Sequence, residues 1–176
     1  MSPGAASPPP REAVRRWFDL RFRSASAIYG LIVFTAFISI ASDEINEAGH
    51  PIDAAEILAE AVPALLIFYA AHVYAETLTD HGEHGFGRSL RQSLRNSSGM
   101  LWSALPTIVI LVIGTLTSMS GYDAYWYAML AAVLILGVLG YAAYSRRGSN
   151  VAVRILGGLG TALLGATIIL LEYAVH

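Results

Sequence analysis

The chain has 176 residues, of which 55% are hydrophobic and 14% charged, with a net charge of −2 and a mean hydropathy of +0.54. Soluble domains carry roughly a quarter charged residues, so this composition excludes an ordinary water-soluble domain and calls for a bilayer as solvent. The absence of cysteine excludes disulfides, thiolate metal sites and cysteine nucleophiles, and the near-neutral charge gives no basis for nucleic-acid binding.

Residues 1–10 are Pro, Ser, Ala and Gly without periodicity and read as a disordered leader. Over residues 11–23, Val14, Trp17, Phe18 and Phe22 fall on one helical face, with Arg15, Arg16 and Arg23 largely off it. That pattern predicts a short basic interfacial segment before the membrane domain, which occupies residues 24–176. The first span is expected at residues 24–42. A signal peptide with so long a polar flank is unusual, so the span reads as retained.

An acidic loop, DEINEAGHPID, leads to a second helix that begins near Ile52, with its membrane span at residues 59–78. Glu56 and Glu60 lie in its first turns, at the positive end of the helix dipole, and Pro63 inside it is a point of bending. In the polar stretch that follows, Phe86, Leu90 and Leu94 recur at steps of four, with Arg88, Arg91 and Arg95 on another face. Residues 82–98 therefore read as a surface amphipathic segment, separate from a third span at 101–119. The fourth and fifth spans are expected at 122–144 and 151–175, joined by RRGSN.

The predicted fold is thus an all-α polytopic transmembrane bundle of about five spans. All its arginines precede the first span, separate the second from the third, or follow the fourth, and the chain has no lysine. The positive-inside rule then places the N-terminus in the cytoplasm and the C-terminus outside. Tyr122, Tyr125, Trp126 and Tyr127 are expected as aromatic anchors at the outer boundary, and Trp102, Tyr141 and Tyr144 at the inner one.

Small residues let helices approach closely in lipid. The fifth span offers two such rows, Gly157–Thr161–Gly165 and Gly158–Ala162–Ala166, and the fourth offers Gly137 and Gly140. They imply tight packing within the bundle or, alternatively, a homodimer face.

Ionisable groups enter a hydrophobic stretch only in the second span, at His72 and Glu76, which lie four apart and share a helix face. Tyr69 and Asp80 extend that row to either side. His72 falls about 9 Å inside the inner edge and Glu76 about 3 Å. A histidine one turn from a carboxylate suits proton or cation handling, because imidazole titrates near neutral pH. The structural alternative is a hydrogen-bonded pair that locks two helices together. His81, Glu83 and His84 make a weak set of metal ligands, beside glycines in an expected turn. A bis-histidine haem would need a second intramembrane histidine, and His72 is the only one, so no cofactor is expected. No phosphate-binding loop, catalytic triad or zinc-protease helix occurs, and the chain does not read as an enzyme.

The pairing of IYGLIVFTAFIS in the first span with AAHVYAETL in the second resembles a group of small bacterial membrane proteins of actinobacterial type. The resemblance covers residues 24–78; it implies a multi-span protein of the bacterial inner membrane and no particular activity. Three functional readings remain open: a small proton- or cation-handling transporter or channel subunit, a scaffold that binds a membrane partner or its own copy, and a metal-binding sensor. The lipid bilayer is the one partner common to all three.

Overall fold

The computed structural model describes residues 25–42, 53–117, 119–145 and 148–175, with the side chains of 80–84, 172, 173 and 175 outside the described part. The expected leader and interfacial segment, most of the acidic loop, and Arg146 and Arg147 lie outside the described residues. What is described is all helical: α1 (Ala25–Ser42), α2 (Ala54–His84), α3 (Phe86–Leu116), α4 (Gly121–Ser145) and α5 (Val151–Val175). All five are long and apolar enough to cross a membrane, which makes this a multi-pass membrane protein.

Local sequence sets where the helices start. Asp53 caps α2: its Oδ1 accepts the backbone N–H groups of Ala55 at 2.8 Å and Glu56 at 3.0 Å. Glu56 reciprocates, its Oε2 accepting the Asp53 N–H at 3.1 Å, which completes a capping box. Ser120 opens α4 by accepting the Asp123 N–H at 3.1 Å, and its hydroxyl donates to Asp123 Oδ2 at 2.7 Å. Asn150 opens α5 by accepting the Val153 N–H at 2.9 Å.

Two sequence expectations change. The turn foreseen around the His81–His84 cluster is helical, and α2 runs on to His84. Reversal falls on Gly85 alone, at φ 77°, a left-handed conformation open to glycine and strained for other residues. The amphipathic segment expected at 82–98 is no separate element: residues 82–84 finish α2, and the remainder opens α3, which continues unbroken into the third span. Polar side chains do not end a helix whose backbone propensity persists, so the change of hydropathy near Ser98 marks an environment rather than a helix boundary.

The interior is built around α1, which packs against each of the other four helices. Phe34 and Ile38 from α1 join Ile57 and Leu65 of α2, Leu111 of α3 and Met129 of α4 in one cluster. Nearer the opposite end, Ala27 and Leu31 meet Ala132, Leu136 and Leu139 of α4. Hydroxyls within this core are mostly returned to main chain: Thr35 Oγ1 donates to the Leu31 carbonyl at 2.7 Å, and Ser103 Oγ crosses from α3 to the Ala27 carbonyl at 2.8 Å. Among the described residues Thr107 is the exception, fully buried with no hydrogen-bond partner for its Oγ1.

The small-residue rows of α5 are consumed within the chain. A Cβ on Gly158 would lie 2.9 Å from the Gly137 carbonyl oxygen, one on Gly165 would lie 2.7 Å from Leu136 Cδ1, and one on Gly157 would enter the Tyr144 ring. Ala162 meets the Gly137 position at 3.6 Å, while Thr161 Oγ1 donates across the seam to the Leu136 carbonyl at 2.8 Å. Ala166 is half-buried on the same helix. Gly157, Gly158, Thr161, Ala162 and Gly165 of these rows therefore pack against α4 within the chain. Of the expected outer aromatic anchors, Tyr122, Trp126 and Tyr127 are exposed as anticipated, but Tyr125 turns into the core. At the other end, Tyr141 and Tyr144 are exposed.

Candidate functional site: a polar cleft where α1, α2 and α3 meet

Reversal at Gly85 lays α2 and α3 side by side, so that the last turns of one meet the first turns of the other. At this level Glu76 reaches from α2 to α3 with both carboxylate oxygens. Oε1 accepts from Asn96 Nδ2 at 3.0 Å, and Oε2 accepts from the hydroxyl of buried Ser97 at 2.8 Å. Hydrogen bonds to a carboxylate are about twice as strong as neutral ones, which makes this a firm cross-helix clamp. Asn96 is itself held, its Oδ1 accepting from Gln92 Nε2 at 3.2 Å and its backbone carbonyl accepting from Ser26 Oγ of α1 at 3.0 Å. Glu76 of α2 thus joins α3 directly, and α1 joins the same cluster through Asn96.

His72 lies one turn from Glu76, toward the middle of α2, and is half-buried. Its ring packs obliquely against Tyr29 of α1, with centroids 6.2 Å apart at 49°, and Tyr29 in turn contacts Phe68 at 5.4 Å. Among the described residues the imidazole has no hydrogen-bond partner. His72 and Glu76 share an open cleft of 390 Å³ with Ser26, Arg95, Asn96 and Ser97. Arg95 forms no ion pair with Glu76 among the described residues.

The sequence row is thereby divided. Glu76 bonds to α3 and not to His72, so the pair is adjacent without being hydrogen-bonded to each other. Tyr69 faces the other side of the α2–α3 seam: its hydroxyl donates to the Leu94 carbonyl at 3.1 Å, and it lines a separate apolar groove. The side chains of Asp80, His81, Glu83 and His84 lie outside the described part. Among the described residues no group of three His, Asp or Glu side chains could hold a metal ion.

Sequence reasoning missed Asn96, Ser97 and Ser26. Asn96 and Ser97 look like ordinary members of a polar stretch, and Ser26 like one small residue at the edge of a span. Their role depends on the register of α3 against α2 and α1, which no single helix's periodicity contains. A weak signal was present in the buried face itself: Ser89, Ser93 and Ser97 recur every four residues, a polar stripe turned inward.

The arrangement can bind. A fixed carboxylate supplies negative potential to a half-buried imidazole about 6 Å away along the helix axis, and both face a space large enough for water or a small cation. Toward the far end the apolar clusters fill the bundle, and on α2 the next acidic side chain is Glu60. That is about 18 Å of helix from His72. A scan against known protein families, a search of curated proteins and a search of solved structures each returned no match.

Proposed function

We propose that this chain is a multi-pass protein of the bacterial cytoplasmic membrane that handles protons or small cations at the His72–Glu76 cleft, with the cleft facing the cytoplasm. The observation that carries the reading is the imidazole of His72, without a hydrogen-bond partner among the described residues, beside a carboxylate that two α3 side chains hold in place. Intramembrane ionisable groups are costly and commonly belong to ion or proton pathways. An imidazole can both accept and donate a proton through its two ring nitrogens, which suits it to a relay beside a carboxylate. The cytoplasmic assignment follows from charge: every described arginine, Arg88, Arg91, Arg95 and Arg154, belongs to this end of the bundle.

The filled core between the cleft and the far end favours a carrier that rearranges α2 against its neighbours over a permanent pore. Small-residue seams gave the scaffold reading its motive, and they are already used between α4 and α5.

The test is flux in liposomes containing the purified protein and an internal pH dye, with valinomycin and a potassium gradient setting the voltage. Wild type should show saturable flux that falls at least tenfold in His72→Ala and in Glu76→Gln, with both variants inserted and monodisperse. Absence of wild-type proton or cation flux, or full flux in His72→Ala, rejects the reading.

A further inference from the structure

On the opposite side of the α2–α3 seam lies a second feature, which neither the core nor the cleft explains. Helix α3 has 31 residues, a rise of about 46 Å against a hydrocarbon core of about 30 Å. With Leu116 at the far interface, roughly the first ten residues project into the headgroup zone of the basic end. There Arg88, Arg91 and Arg95 are exposed, three or four positions apart, and so are neighbours on the helix surface. None forms an ion pair among the described residues. Three adjacent like charges repel one another in the absence of an anion.

Beside them runs an apolar groove of 260 Å³ between α2 and α3, lined by Tyr69, Val73, Tyr74, Phe86, Leu90 and Leu94 among others. Tyr74, Phe86 and Leu94 are exposed, and no carboxylate lines it among the described residues. Arg91 is the i−3 neighbour of Leu94, so the cationic row borders the groove directly.

We propose that this groove and its arginine border bind an anionic phospholipid of the basic-end leaflet, one acyl chain lying in the groove and the phosphate meeting Arg91 and Arg95. Basic sites between transmembrane helices on the cytoplasmic side are suited to anionic headgroups. A lipid fits better than an acidic protein because the groove starts at headgroup depth and is apolar along its length, toward Tyr69 within the span. Arg95 also lines the His72–Glu76 cleft, but the apolar groove itself shares no lining residue with that cleft, and the test of lipid binding does not depend on flux.

The experiment is native mass spectrometry of the purified full chain in detergent, titrated with phosphatidylglycerol and with phosphatidylcholine of matched acyl chains. Each arginine near a lipid phosphate contributes about fivefold in affinity, so phosphatidylglycerol should bind about 25-fold more tightly. Arg91→Gln with Arg95→Gln should bring it down to the phosphatidylcholine level. Leu90→Trp, which fills the groove, should weaken both lipids. Arg154→Gln serves as control, because Arg154 belongs to the same end while its Nε donates to the Ser149 carbonyl at 2.8 Å; it should change neither. Equal binding of the two lipids by wild type, undiminished binding by the double variant or by Leu90→Trp, or an equal loss in Arg154→Gln would each overturn the proposal.

Discussion

Glu76 and Thr107 put polar atoms to opposite use in the same bundle. Glu76 has donors for both oxygens, whereas Thr107 buries a hydroxyl that has no partner among the described residues. An unpaired buried hydroxyl costs roughly 1–3 kcal/mol, and valine has nearly the same shape without that group. Thr107→Val should therefore raise the thermal unfolding midpoint in detergent, by a stabilisation of about 1 kcal/mol or more. Ser97→Ala should do the reverse, removing one charge-assisted bond and leaving a carboxylate oxygen short of a donor, for a loss of about 1–3 kcal/mol. An unchanged midpoint in Ser97→Ala would mean that Asn96 alone holds the carboxylate. At this scale the sequence was half legible. His72 and Glu76 stand out because ionisable residues are rare in an apolar stretch, while Asn96 and Ser97 carry no charge and sit among other polar residues. Which side of the seam Tyr69 takes was not readable either, since residues three and four apart share only a broad face.

Helices were legible wherever hydropathy and backbone agree. The fifth span matches α5 over 151–175, and the fourth matches α4 to within one residue at each end. They diverge where a helix leaves the membrane, as α2 does before Gly85 and α3 does after it. Hydropathy reports the solvent, but the helix follows hydrogen bonding, and Gly85 alone interrupts it. Gly85→Ala should cost about 1–2 kcal/mol, the penalty of a Cβ at positive φ, since nothing lies within 4 Å to clash. The α4–α5 seam makes a sharper case. Gly158→Leu would drive a side chain into the Gly137 carbonyl, at a cost of about 1–3 kcal/mol or more. Gly160→Leu, on the same helix but facing open space, should be nearly neutral. Thermal midpoints of the two variants compare them directly, and a similar loss in both would mean that the close contact at Gly158 is not responsible, since leucine is the better helix former at either position.

Across the whole molecule, charge is separated along the bundle: the described arginines lie toward one end, and Asp53, Glu56, Glu60 and Asp123 toward the other. This asymmetry was fully legible in the sequence because insertion depends on the charge of loops rather than on how helices pack. It makes orientation testable without structural disturbance. The chain has no cysteine, so a single introduced thiol reports one position. Tyr122 is 68% exposed at the acidic end, and Gly87 at the basic end has nothing within 4 Å of its would-be Cβ. In sealed, right-side-out membrane preparations, Tyr122→Cys should react with a membrane-impermeant maleimide. Gly87→Cys should react only after the membrane is opened. The reverse pattern would place the His72–Glu76 cleft on the opposite side of the membrane. Mixed labelling of both positions would mean dual insertion, which this one-sided distribution of arginines disfavours by about 1 kcal/mol or more for each charge kept near an anionic leaflet.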